Sequence, residues 1–93
     1  MTIGILKLSL FIPHSNSLKE KRMVLNSLKQ KLRNNFNVSI TTLNDNDKWQ
    51  KVEMVIVCVG KNGRAVDSLL NEVVNFTKNF NQLELLNYTL ELI

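Results

Sequence analysis

Val52–Val59, "VEMVIVCV", restricts the fold of this 93-residue chain more than any other stretch. Apart from Glu53 the run is apolar, so neither of its alternating sets of side chains is built for water. Such a run belongs inside a sheet rather than at its rim. An interior strand needs a strand on each side, and the chain supplies candidates. Thr2–Ile12, "TIGILKLSLFI", alternates, with Leu6, Leu8, Leu10 and Ile12 on one side and Ile3, Ile5, Lys7, Ser9 and Phe11 on the other. Pro13 ends it, because proline cannot donate to a ladder. Phe36–Leu43, "FNVSITTL", is rich in β-branched residues. Leu85–Ile93 alternates again and directs Leu86, Tyr88, Leu90 and Leu92 to one face.

Two helical patterns separate these strands. Ser17 opens the first, and Glu20 three residues later completes a capping box, in which each side chain satisfies a free backbone N–H of the other. Leu18, Val24, Leu25, Leu28 and Leu32 make the inward stripe, and Asn34 and Asn35 close the helix. "GKNGR" breaks the third strand. Ala65–Phe80 then reads as a second helix with Val66, Leu69, Leu70, Val73 and Phe76 inward. "NDNDKWQ" is a turn in which Asp47 can cap a short helical turn carrying Trp49. The order is βαββαβ. Right-handed crossovers predict the first and third strands side by side and parallel in the middle of a four-stranded, antiparallel-type sheet, with both helices on one face. The expected fold is a ferredoxin-like α+β sandwich, a single domain over residues 1–93.

Composition fits one modest core: 44% of residues are hydrophobic and 22% charged, which is globular rather than disordered. No apolar run approaches the roughly 20 residues that span a bilayer, so no membrane partner is expected. Met1 leads directly into strand-like sequence, so no signal segment is expected either. One cysteine cannot staple the fold, and a reducing cytoplasm fits best.

The net charge of +4 is unevenly spread. Ser17–Phe36 holds Lys19, Lys21, Arg22, Lys29, Lys31 and Arg33 against Glu20 alone, and the remainder of the chain is close to neutral. Concentration of this kind is an electrostatic footprint. If the two central strands are parallel, both helices start at the same edge, and Lys19, Lys21 and Arg22 come near Lys61 and Arg64. Each helix start also offers free N–H groups and about half a positive charge. Three cations in the first two turns oppose that dipole by about 0.3–1 kcal/mol each when exposed, a local penalty that makes sense where an anion binds. At about 100° per residue, Lys19, Arg22, Asn26, Lys29 and Arg33 share one sector beside the apolar stripe. Lys29 and Arg33 are a like-charged pair four residues apart, unfavourable in isolation. Surfaces tuned only for solubility mix signs. The competing reading is a solvated face neutralised by acids of the last strand or by Asp45 and Asp47. A row of cations about 20 Å long suits a nucleic-acid backbone better than a small metabolite. The third strand offers no stacking aromatics, which argues against an RNA-recognition sheet. "GKNG" matches the GxxG clamp only superficially, since it joins a strand to a helix.

Other chemistry is weakly signalled. His14 lies near Ser15 and Ser17 without an evident third group, so it reads as a solvent-facing loop residue. Asp45 and Asp47 are too few for a metal site and fit turn and cap roles. Cys58 should be a buried, unreactive thiol, and Trp49 a plug over one end of the core. The helix-free sheet face carries Ile3, Ile5 and Phe11 with one set of the third strand's apolar residues, which suggests a second copy meeting sheet to sheet.

"SLKEKRMVLNSLKQKLRNNFNVSI", then "DKWQ" and "VEMVIVCV", resembles the YlxP-like family of small bacterial proteins over nearly the whole chain. The likeness is most specific in Ser17–Arg22, Arg33–Ser39 and Trp49–Gln50. The family pattern matches Leu18, Lys19, Lys21, Arg22, Phe36, Asn37, Val38 and Trp49. The resemblance implies a ferredoxin-like fold and an unknown biochemical function. Family genes often lie beside those for a translation initiation factor and a ribosome-binding factor, which implies a role in ribosome assembly or translation.

The resulting expectation is a non-enzymatic cytoplasmic accessory factor for ribosomal RNA or a ribosomal particle, without cofactor or metal. Lys19, Lys21, Arg22, Lys29 and Arg33 would contact phosphates, helped by Lys61 and Arg64. One alternative is a dimeric regulatory domain holding a small phosphorylated metabolite at the helix starts. Another is an acylphosphatase-type enzyme, ranked last because the first strand–helix turn lacks a Gly-rich phosphate loop and its arginine.

Overall fold

A computed structural model describes residues 1–13, 17–43 and 50–93. The expectations for His14, Asp45, Asp47 and Trp49 lie outside the described residues. Six elements follow in order: β1 (Thr2–Phe11), α1 (Leu18–Asn35), β2 (Ser39–Leu43), β3 (Lys51–Gly60), α2 (Gly63–Lys78) and β4 (Glu84–Leu92).

Local chemistry sets the helix boundaries. Ser17 is extended and its hydroxyl accepts the Glu20 N–H at 3.1 Å, so α1 starts where the capping pair places it. Asn62 does the same for α2 by accepting the Ala65 N–H at 2.9 Å. The "GKNGR" break is therefore itself the cap, and α2 begins at Gly63, ahead of the expected Ala65. β2 is shorter than predicted because residues 36–38 are taken up in leaving the helix. The Phe36 N–H still donates to the Leu32 carbonyl at 2.8 Å, and the Val38 N–H donates back to Phe36 at 3.0 Å. The Phe36 ring meets Phe76 edge-on, with centroids 6.1 Å apart.

The sheet order is β2-β3-β1-β4, and every neighbouring pair is antiparallel. β3 is an interior strand, as its sequence demanded. The parallel pairing of β1 with β3 is corrected: Thr2 faces Gly60 and Phe11 faces Lys51. The connection from β2 to β3 reverses the chain and inserts β3 between β1 and β2. The strands related by the α1 crossover are thus β1 and β2, which run parallel without touching. Two helices on one face of this sheet complete the α+β, ferredoxin-like arrangement.

The core lies between sheet and helices. Leu6, Leu8, Leu10 and Ile12 from β1 and its end meet Val52, Met54, Ile56 and Cys58 of β3 and Ile40 of β2. From above come Leu25, Leu28 and Leu32 of α1 and Val66, Leu70, Val73 and Val74 of α2. Leu69 and Phe76, expected inward, are half-buried, while Val74 and Thr77 take the inner positions. Thr77 is tolerated there because its hydroxyl donates to the Val73 carbonyl at 2.9 Å. α2 lies so close to the sheet that a Cβ on Gly4 would overlap Val66 and sit 2.6 Å from Leu70 Cδ1. In β4 the register shifts: Ser9 pairs with Asn87 but Leu10 pairs with Leu85. Leu86 is the extra residue of this bulge and is exposed, so it leaves the face it was expected to share with Tyr88, Leu90 and Leu92. On the helix-free face stand Ile3, Ile5, Lys7, Ser9 and Phe11 with Lys51, Glu53, Val55, Val57 and Val59, which settles the outward set of β3. Among the described residues no helix is long and apolar enough to cross a membrane.

Candidate nucleic-acid interface

α1 carries the cations, and its rotation decides what each can reach. Lys21, Leu25, Leu28 and Leu32 fall within a sector of about 60° on a helix of about 100° per residue. They are the buried residues of α1. Lys21 is thus an inward residue, only 1% exposed, and it is engaged in an interaction there. Among the described residues no buried side-chain nitrogen or oxygen lacks a hydrogen-bond partner. Its expected role as a surface phosphate contact is corrected. The signal was present in the sequence, since Lys21 stands one turn before Leu25 on the apolar stripe.

Lys19, Arg22, Lys29 and Arg33 occupy one flank, with Asn26 between them. Lys19, Arg22 and Arg33 are exposed and Lys29 is half-buried beneath them. Arg33 fixes where this flank points. Its Nη2 donates to the Ile40 carbonyl at 3.2 Å, so the flank overhangs β2, the edge strand of the sheet. A guanidinium has five N–H donors, and this bond leaves others directed outward. No pattern in the sequence pointed to this anchor, because it depends on α1 lying over β2. Among the described residues, no carboxylate is paired with any of these four cations. The acids of β4 do not neutralise them: Glu84 faces Phe11 and Glu91 faces Ile5, on the other side of the sheet.

Lys31 belongs to the opposite flank. Its Nζ stands 5.2 Å from the Phe80 ring centroid, a cation–π distance. With Phe76, Asn79, Phe80 and Asn81 it lines an open depression of about 370 Å³ near the end of α2.

Lys61 and Arg64 are exposed at the start of α2, but the expected common rim is corrected. α1 follows the Phe11 end of β1, which faces Lys51, whereas α2 follows the Gly60 end of β3, which faces Thr2. Ten-residue strands at about 3.3 Å per residue put these ends about 30 Å apart. Each helix start keeps its own dipole and free N–H groups, and the two do not pool.

Cys58 is buried in β3, where loss of hydration pushes its thiol above the ordinary value against a smaller opposing effect of a Gly4 backbone hydrogen bond. It is therefore held as the unreactive thiol. Among the described residues no group of three or more His, Cys, Asp or Glu side chains converges on a metal-sized site.

Comparison with known proteins places the chain in a family. A family model described as "Protein of unknown function (DUF503)" matches residues 3–90. "Uncharacterized protein YlxP" of Bacillus subtilis (strain 168) is 33% identical over 82 residues, covering 88% of this chain and 89% of its own length. The matched span runs from β1 into β4 and so includes every element that positions the basic flank. The chain belongs to the DUF503 family, a YlxP-like family of unknown function.

Proposed function

We propose that this protein is a non-enzymatic, cytoplasmic accessory factor that binds ribosomal RNA or a ribosomal particle, with Lys19, Arg22, Lys29 and Arg33 on phosphates. The observation that carries the reading is the flank of α1: four cations along about 20 Å of helix, unopposed by carboxylates among the described residues. Lys19 and Arg33 are separated by fourteen residues of one rigid helix, so the spacing of the charges is fixed before anything binds. A preset row suits a repeating polyanion, whose phosphates release counterions on contact. The ribosome enters through the gene neighbourhood implied by the family likeness. The metabolite alternative gains no pooled site from the helix starts, since these lie apart, and would have to rest on one of them. Lys61 and Arg64 consequently drop from helpers to bystanders in this reading.

The test is cosedimentation with ribosomal subunits across a salt series. Four phosphate contacts give a slope of about −3 in log affinity against log salt. Lys19→Glu with Arg22→Glu abolishes binding while the circular dichroism spectrum stays native, and Lys61→Glu with Arg64→Glu leaves affinity within about twofold. Salt-insensitive binding, or equal losses from both double variants, overturns the proposal.

A further inference from the structure

The helix-free face of the sheet has a composition that its exposure does not explain. Antiparallel sheets with one wet face alternate apolar-in, polar-out. β4 does so here, presenting Glu84, Asn87, Thr89 and Glu91 outward, and β2 does so in part, presenting Ser39 and Thr41 with Leu43 at its end. The two central strands do not. Ile3 faces Val59, Ile5 faces Val57, and Val55 stands beside Lys7. The result is an apolar centre of β-branched side chains inside a border that is polar except at Leu43 and Ile93, close to the layout of an interface core and its rim. Val59 is 62% exposed at one end of this centre.

We propose that this face is the contact surface of a homodimer, two copies meeting sheet to sheet. Charge selects the occupant. The face bears Lys7 and Lys51 against Glu53, Glu84 and Glu91, which is close to balanced and interspersed. A surface that must meet its own copy around a two-fold axis cannot carry one sign. The α1 flank fails that condition, and this face meets it. The same carboxylates make it a poor surface for nucleic acid or an anionic membrane. Area is sufficient as well. Four strands about 4.8 Å apart, with central strands about 30 Å long, give a flat projection on the order of 500 Å² per copy. Two facing sheets thus hide upwards of about 1,000 Å² in total, where specific association begins. Aligned packing about 10 Å apart lets the valines and isoleucines interdigitate. Both α1 flanks stay outside the contact, so dimerisation and the proposed phosphate binding are independent.

Sedimentation equilibrium on the full chain tests this. A mass of twice the 10.7 kDa of one chain is expected at concentrations up to the order of 100 μM, with little change on adding salt. Val59→Lys, at an exposed position that the monomer tolerates, raises the dissociation constant at least tenfold, and Ile5→Glu does the same. Lys19→Glu with Arg22→Glu leaves the dimer intact. A monomer throughout that range, or a dimer whose constant is unmoved by Val59→Lys in a protein of native spectrum, overturns the proposal. If the wild type is monomeric and instead captures a different protein through Val59, the face has another occupant and the homodimer is likewise overturned.

Discussion

The two helices start alike and end up with different work. Each opens on a polar side chain that accepts the N–H three residues on. α2 then presses onto the sheet where Gly4 and Gly60 make room, and a Cβ on Gly60 would lie 2.9 Å from Val66 Cγ2. Its outer face mixes Arg64, Asp67, Glu72 and Lys78, an ordinary solvated pattern. α1 has a narrower apolar stripe with a lysine in it, and beside that stripe a flank of one sign. α2 is therefore governed by shape and α1 by charge. The lesson is that fit tolerates little change in the first, whereas in the second the surface can vary without disturbing the fold.

The comparison breaks most visibly at the closest contact. Gly4→Val drives methyl groups into Val66 and Leu70, and overpacking of this kind costs about 3 kcal/mol in urea unfolding. Gly63→Ala is the matching control within the first turn of α2. Its added Cβ would be 3.7 Å from Leu92 Cδ1, ordinary contact, so stability stays level or rises by up to about 1 kcal/mol. A similar loss from both glycines would show that helix-to-sheet distance is not what constrains α2.

The next largest effect separates two lysines on one helix. Lys21→Glu reverses a charge buried in the core and costs about 2 kcal/mol or more. Lys19→Glu, exposed and near the favourable end of the helix dipole, changes stability by less than about 0.5 kcal/mol. Chemical denaturation of the two variants side by side measures the difference. Equal, small effects would mean that Lys21 is not held inside. The smallest effect sharpens what the helices share. Ser17→Ala and Asn62→Ala each lose about 1 kcal/mol, and the double variant loses their sum within about 0.5 kcal/mol, because the caps stand at opposite ends of the sheet. Thermal melts of the four proteins close that cycle.

Sequence legibility followed the range of the interactions. Ser17 with Glu20 marked the start of α1, and the apolar run of β3 demanded two neighbours, because caps and burial act over a few residues. The direction of β3 relative to β1 was misread, although it decides the site. The error came from assigning the helix crossover to neighbouring strands, when the reversing connection after Leu43 slides β3 in between. That single inversion carried Lys61 and Arg64 to the wrong end. Lys21 differs for another reason: its residue type suggests the surface, while its angular position, with Leu25, Leu28 and Leu32, puts it inside. The Arg33 anchor on Ile40 and the bulge at Leu86 were not readable from periodicity. Both depend on how separate elements settle against one another.

The middle position of β1 also bears on how this chain is made. It precedes every other element, yet its two ladders are with β3 and β4: Gly4 pairs with Cys58 on one side, and with Leu92 on the other only once β4 docks. Contacts that close such long loops are slow to form. While the nascent chain is emerging, Leu6 and Leu8 remain uncovered on one side until the last strand docks. Synthesis halted before Glu84 would release a protein with an open sticky edge, so the interval before β4 docks is the period of greatest exposure to aggregation.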